Sequence, residues 1–266
     1  MPLLKPIRGS RLIGNHPLAR GLVGCWLFNE GSGNTVFDLS GNNRLLTFSG
    51  NWLQNGAFVD AATDRLLATT PIFSQSQGTF ICCLNRQAAW SEYGAIFNVE
   101  NATNNSPNEM LLYKSNNILE PIEFYPNRDQ SSSDYWTYGN YSTIFPLNMD
   151  VVVAAVWRNN SILKGYLNGI EAGSLTGDAS WTASAWANSE VLSIGATYGI
   201  NYETNCIYKW AYAFNRALSS SEIAQLYREP FCMFEQKISP AYFFVSGAPP
   251  SVKPWWYYQE MMMRAS

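Results

Sequence analysis

Val151-Val152-Val153-Ala154-Ala155-Val156-Trp157-Arg158-Asn159-Asn160-Ser161-Ile162-Leu163-Lys164-Gly165-Tyr166-Leu167-Asn168-Gly169-Ile170 decides the fold. Val151 to Trp157 is a β-branched run that suits a pleated, buried surface. Arg158 to Ser161 reads as a turn, and Ile162 to Leu167 as a second strand. Asn168-Gly169 is the strongest short hairpin signal, because both positions accept positive φ. Ile170 to Ser174 then reads as a third strand, so the stretch predicts a three-stranded antiparallel meander.

The same rhythm continues outward. Leu22 to Phe28, Gly56 to Val59, Thr79 to Leu84, Ala95 to Val99 and Met110 to Tyr113 are short apolar runs stopped by Gly, Asn, Pro or Ser. Amphipathic helices need ten or more residues of 3.6 periodicity. One stretch reads as a helix: Ser219 and Glu222 form a capping box, Ile223, Leu226 and Tyr227 follow at helical spacing, and Pro230 stops it. Two sheets with one edge helix, an all-β sandwich, is the expected architecture.

Composition narrows the function. Of 266 residues, 47% are hydrophobic and 14% charged, against roughly 25% charged in ordinary soluble domains. The net charge of −3 comes with no basic cluster, which argues against nucleic-acid binding. No run reaches the roughly 20 apolar residues of a membrane span, and Met1 to Arg20 holds no apolar stretch of signal-peptide length. The expectation is a chain made in a cytoplasm without export and without membrane contact. Cys25, Cys82, Cys83, Cys206 and Cys232 are odd in number and lack CxxC spacing, so buried free thiols are expected. Neighbours on a strand point to opposite faces, so Cys82 and Cys83 could not hold one metal together.

Three segments of sequence carry a family resemblance. Gly21-Leu22-Val23-Gly24-Cys25-Trp26-Leu27-Phe28-Asn29-Glu30-Gly31-Ser32-Gly33-Asn34, with Asp38-Leu39-Ser40-Gly41-Asn42 after it, resembles the opening of concanavalin A-like, laminin G-like domains. Gly165-Tyr166-Leu167-Asn168-Gly169 resembles their hairpin, and Phe214 to Tyr227 is similar to their closing strand and helix. The landmarks run in order over residues 21 to 230. The resemblance implies a two-sheet antiparallel jelly-roll sandwich with a short C-terminal helix and extended terminal arms. Residues 1–20 would be an N-terminal arm, 21–234 the sandwich and 235–266 an aromatic extension. Trp26, Phe28, Val153, Ala155, Trp157, Trp210, Tyr212 and Phe214 are the expected core. The flanks, Leu3 to Gly21 and Tyr227 to Phe234, resemble leaderless laminin G-like proteins of tailed bacteriophages. That implies a virion structural protein, a decoration or accessory subunit of capsid or tail, contacting other virion proteins and further copies of itself. Where family members carry paired acids before the helix, this chain has Tyr208, Lys209 and Trp210, so neither metal nor cofactor is expected.

Catalytic signals are weak. Glycanases of this fold place two Glu either side of an Asp on one strand face, and no Glu-x-Asp-x-Glu occurs here. His16, the one histidine, cannot supply a supported triad or a multi-histidine zinc site. Gly31-Ser32-Gly33 lacks the Lys and Ser/Thr of a phosphate loop. No catalytic residue is assigned, and a divergent glycoside hydrolase is the third alternative. Binding signals are aromatic. Asp134 to Tyr141 offers Tyr135, Trp136, Tyr138 and Tyr141 as glycan-stacking candidates, which makes a lectin-like adhesion module the second reading. Trp181 and Trp186 carry a similar signal. Trp255, Trp256, Tyr257 and Tyr258, in a Pro-rich extension, are candidates for docking into a neighbouring subunit.

Overall fold

A computed structural model describes residues 5–7, 9–53, 56–61, 63–68, 72, 76–90, 93–101, 109–116, 120–128, 134–179, 190–197 and 202–235. Residues 1–235 form one unit and 236–266 another; Trp255, Trp256, Tyr257 and Tyr258 lie outside the described residues, as do Trp181 and Trp186. The first strands are β1 (Leu22–Trp26), β2 (Thr35–Val36), β3 (Leu46–Ser49), β4 (Asn51–Leu53), β5 (Gly56–Val59) and β6 (Arg65–Ala68). The middle of the chain supplies β7 (Gln77–Arg86), β8 (Ala95–Asn101), β9 (Glu109–Lys114), β10 (Pro121–Arg128), β11 (Tyr135–Asn140) and a one-turn helix, α1 (Tyr141–Ile144). Then come β12 (Asp150–Arg158), β13 (Ile162–Leu167), β14 (Ile170–Glu171), β15 (Ser174–Thr176), β16 (Glu190–Ile194), β17 (Cys206–Phe214) and the helix α2 (Ser220–Arg228).

The strands form two antiparallel sheets. The eight-stranded sheet runs β14-β13-β12-β7-β17-β5-β4, with β1 also on β17. The nine-stranded sheet runs β15-β11-β10-β9-β8-β16-β6-β3-β2. Side-chain alternation puts Phe80, Cys82, Leu84, Val153, Ala155 and Trp157 between the sheets, with Phe97, Leu112 and Phe124 from the other side. A bulge between Ala95 and Phe97 lets the adjacent Ile96 and Phe97 both enter this core.

The meander forms as expected through Leu167. Asn168 and Gly169 both take positive φ, 48° and 80°. The third strand is shorter than the sequence implies: β14 has two residues, and Ser174 already belongs to β15, which pairs with β11 in the other sheet. The crossing is held by Trp136, whose Nε1 donates to the Ala172 carbonyl at 2.8 Å. Gly173 makes it possible, at φ 100° and with a backbone oxygen where its Cβ would sit.

The eight-stranded sheet is covered on both faces, which the sequence did not disclose. Trp210, Tyr212 and Phe214 are buried as expected, but in a second core shared with Ile81, Cys83, Val152 and Val156. Ile223 and Leu226 of α2, with Leu18, Met233 and Phe234, close over them. The N-terminal arm is part of this cover. Leu12 bridges Phe234, the Glu235 amide donates to the Arg11 carbonyl, and Lys5 Nζ donates to the Leu27 carbonyl at 2.9 Å. Burial pushes Lys5 down to about 8. His16 caps the 3-10 turn Pro17–Ala19 through its Nδ1, a structural role.

The helix α2 carries the expected capping box. Tyr227, expected on its apolar face, is largely exposed, although its Cβ lies where a side chain at Gly169 would go. Burial alone would raise the Glu222 carboxyl, but hydrogen bonds from Arg216 and from the Ser219 amide and hydroxyl outweigh it and lower the pKa. A carboxyl lowered by folding stabilises above its unfolded pKa and loses that contribution as pH falls through the folded value. Glu222→Gln should therefore cost about 1 kcal/mol at pH 7. In urea melts the difference between variant and parent should shrink as pH falls below the ordinary carboxylate range.

Candidate functional site

Strand β11 separates the four glycan-stacking candidates by alternation. Trp136 and Tyr138 point between the sheets and are buried in the main core. Tyr138 Oη donates to the Ala154 carbonyl at 2.8 Å, and burial holds its phenol well above the usual range. Tyr141, in α1, is also buried, against Trp90 at 5.5 Å between ring centroids. These three rings pack inside the sandwich and offer no open face to a sugar. Tyr135 points the other way and stays half-exposed. The structure therefore keeps one of the four on the surface and does not bring them together.

Tyr135 leads to a larger arrangement on the outer face of the nine-stranded sheet. Its ring stacks on Tyr125 of β10 at 4.9 Å and 20°. Tyr125 meets Tyr113 of β9 at 6.1 Å, Tyr113 stacks with Tyr93 at 6.2 Å, and Tyr93 meets Tyr202 at 5.1 Å. Five tyrosines thus cross three strands and end on the 93 and 202 loops. The register explains the row: Glu123 faces Tyr113 on one side and Thr137 on the other, and Tyr125 is two residues along the same face. Glu123 is buried, and its Oε2 accepts from Tyr113 Oη at 3.3 Å and Tyr125 Oη at 3.4 Å. The phenols are held in place by this carboxylate while the half-exposed rings of Tyr93, Tyr125, Tyr135 and Tyr202 meet solvent.

Asn98 of β8 lies on the same face, opposite Leu111 and Ser193. It is fully buried, and neither its amide nitrogen nor its oxygen has a hydrogen-bond partner among the described residues. Such an orphan costs about 1–3 kcal/mol. A platform of rings with hydroxyls can stack apolar faces and exchange hydrogen bonds with a polar ligand.

The cysteines behave as expected. Cys25, Cys82, Cys83 and Cys206 are buried free thiols and Cys232 is half-buried. Burial pushes Cys83 and Cys206 up to about 12, so neither is a nucleophile at neutral pH. Cys82 and Cys83 face the two different cores.

No protein-family model matches the chain, and no curated protein matches it. Solved structures do. Trypanosoma rangeli sialidase in complex with 2,3-difluorosialic acid superposes with a TM-score of 0.62 at 13% identity, over 88% of this chain and 37% of that one. Domain 4 of AbnA, a GH43 extracellular arabinanase from Geobacillus stearothermophilus, in complex with arabinotriose, gives 0.54 at 14% identity, over 77% and 97%. A mutant of HCR D/C VPI 5995 gives 0.57 at 13% identity, over 80% and 53%. The chain spans about a third of the length of the sialidase chains it matches. At such identities the likeness is one of fold, and the chain is a two-sheet antiparallel β-sandwich of the jelly-roll kind.

Proposed function

We propose that this chain is a non-catalytic glycan-binding module whose binding surface is the outer face of the nine-stranded sheet. The observation that carries the proposal is the continuous row Tyr202-Tyr93-Tyr113-Tyr125-Tyr135, with Glu123 fixing two of its hydroxyls. Sugar rings present apolar faces bordered by hydroxyls, and a row of stacked and tilted tyrosines offers both apolar ring surface and phenol hydroxyls. The likeness to a sandwich domain solved with bound arabinotriose is compatible with it.

A non-catalytic role is favoured by the sequence, which carries no Glu-x-Asp-x-Glu of the kind that glycanases of this fold place on one strand face. A glycan array tests binding: the parent should retain at least one oligosaccharide class, and Tyr125→Ala should weaken it about tenfold or more. Tyr227→Ala, on α2 beside the other sheet, should leave it unchanged. An array with no signal, or equal signals for parent and Tyr125→Ala, would overturn the proposal.

The finer placement, as an adhesion or decoration subunit of a phage virion, is favoured by the flanking sequences Leu3 to Gly21 and Tyr227 to Phe234. Residues 236–266, with Trp255 to Tyr258, would then attach the module to other virion proteins or to further copies of itself. Deleting 237–266 should abolish incorporation into particles while leaving the sandwich folded. Unaltered particle composition after that deletion would count against it.

A further inference from the structure

We infer that the end of the sandwich beside α1 holds a second site, which takes a carboxylate through Arg86. Strand parity sends Arg86, the last residue of β7, between the sheets behind Phe80, Cys82 and Leu84. Lys114, the last residue of β9, enters from the facing sheet behind Met110 and Leu112. The two cations meet at one ring: Arg86 Cζ lies 5.1 Å and Lys114 Nζ 4.6 Å from the centroid of Tyr141. Arg86 is 8% exposed and Lys114 4%.

Their partners are unequal. Lys114 Nζ pairs with Glu120 Oε1 at 2.9 Å. Arg86 has no carboxylate and no hydrogen-bond acceptor for its guanidinium among the described residues, and its enclosed Nε is left bare. The cluster Arg86, Lys114 and Glu120 therefore carries one uncompensated positive charge. A buried cation is normally paired, since removing it from water is costly and an aromatic face compensates only part of that cost. A guanidinium fork with open donors fits the two oxygens of a carboxylate.

The residues beside the cation reach the surface. Arg86 bridges Leu147 through its backbone, and Leu147 is 51% exposed, while the Glu120 side chain is 43% exposed. The Tyr141 amide donates to the Glu120 carbonyl, so Glu120 also anchors the aromatic floor. Arg86 thus lies close beneath exposed side chains at the end of the sandwich. The site stands apart from the tyrosine row, and its ligand class, a carboxylate such as that of an acidic sugar, is argued without it.

The test uses the whole chain with sodium glucuronate as probe, glucose as the neutral arm and sodium acetate as the arm without a sugar, at constant ionic strength. Glucuronate and acetate should each raise the melting temperature of the parent, and glucose should not. Arg86→Met should weaken glucuronate about tenfold to a hundredfold yet melt no lower than the parent without ligand, because it removes an unpaired buried charge. Arg86→Lys, which keeps the charge and loses the fork, should bind weakly. Equal responses to glucose and glucuronate would overturn the inference, as would undiminished affinity in Arg86→Met. An Arg86→Met chain that melts well below the parent would also overturn it, because Arg86 would then have a structural partner.

Discussion

Trp157→Ala should destabilise the chain by about 3–5 kcal/mol, the range for emptying a large aromatic from a closed core. Trp157 is fully buried and bridges the sheets: its ring lies 5.6 Å from that of Phe124. It also lies over Gly78, its cross-strand partner, where an added Cβ would sit 2.4 Å from the ring. No neighbour can refill the gap without moving a strand, so the cavity term adds to the lost transfer energy. Urea denaturation checks this. A loss below about 1 kcal/mol would show that the sheets collapse on each other there.

Gly173→Ala should cost about 2–6 kcal/mol, from backbone strain and overpacking together. At φ 100° an alanine is strained, and its Cβ would fall 2.1 Å from the Thr137 carbonyl oxygen and 2.6 Å from Trp136 Nε1. Backbone cannot yield as a flexible side chain does, and this is the point where the chain leaves one sheet for the other. Gly31→Ala is the matched control: φ is 71° but nothing lies within 4 Å, so strain of about 1 kcal/mol alone applies. Thermal melts that rank the two variants equally would contradict the crossing geometry.

The fold was legible because local signals agreed with each other. Asn168-Gly169 fixes a hairpin by φ alone, and Ser219 with Glu222 fixes a helix start by reciprocal hydrogen bonds. What stayed hidden was the second face of the eight-stranded sheet. Val151 to Trp157 is apolar at every position, so periodicity cannot say that alternate residues meet the helix and arm instead of the other sheet.

The site was less legible for the same reason. Tyr135, Trp136 and Tyr138 read as one polar aromatic loop, but a strand turns neighbours to opposite sides. The row itself draws on β9, β10, β11 and two loops, and cross-strand register is a tertiary fact. A local hint was present in Ile122-Glu123-Phe124-Tyr125, where the apolar residues alternate with Glu123 and Tyr125 and so mark an outer face. Arg86 gave no such hint, since nothing in a sequence tells a paired arginine from a bare one.

The central claim is that the outer tyrosine row is the binding surface. Tyrosine-ring carbon-13 labelling, read by NMR while the array's strongest glycan is titrated, tests it most directly. Shifts should concentrate on Tyr93, Tyr113, Tyr125, Tyr135 and Tyr202, and leave Tyr138, Tyr166, Tyr208 and Tyr212, buried elsewhere in the sandwich, unmoved. Saturable binding that leaves all five row tyrosines unmoved would place the ligand elsewhere and contradict the account.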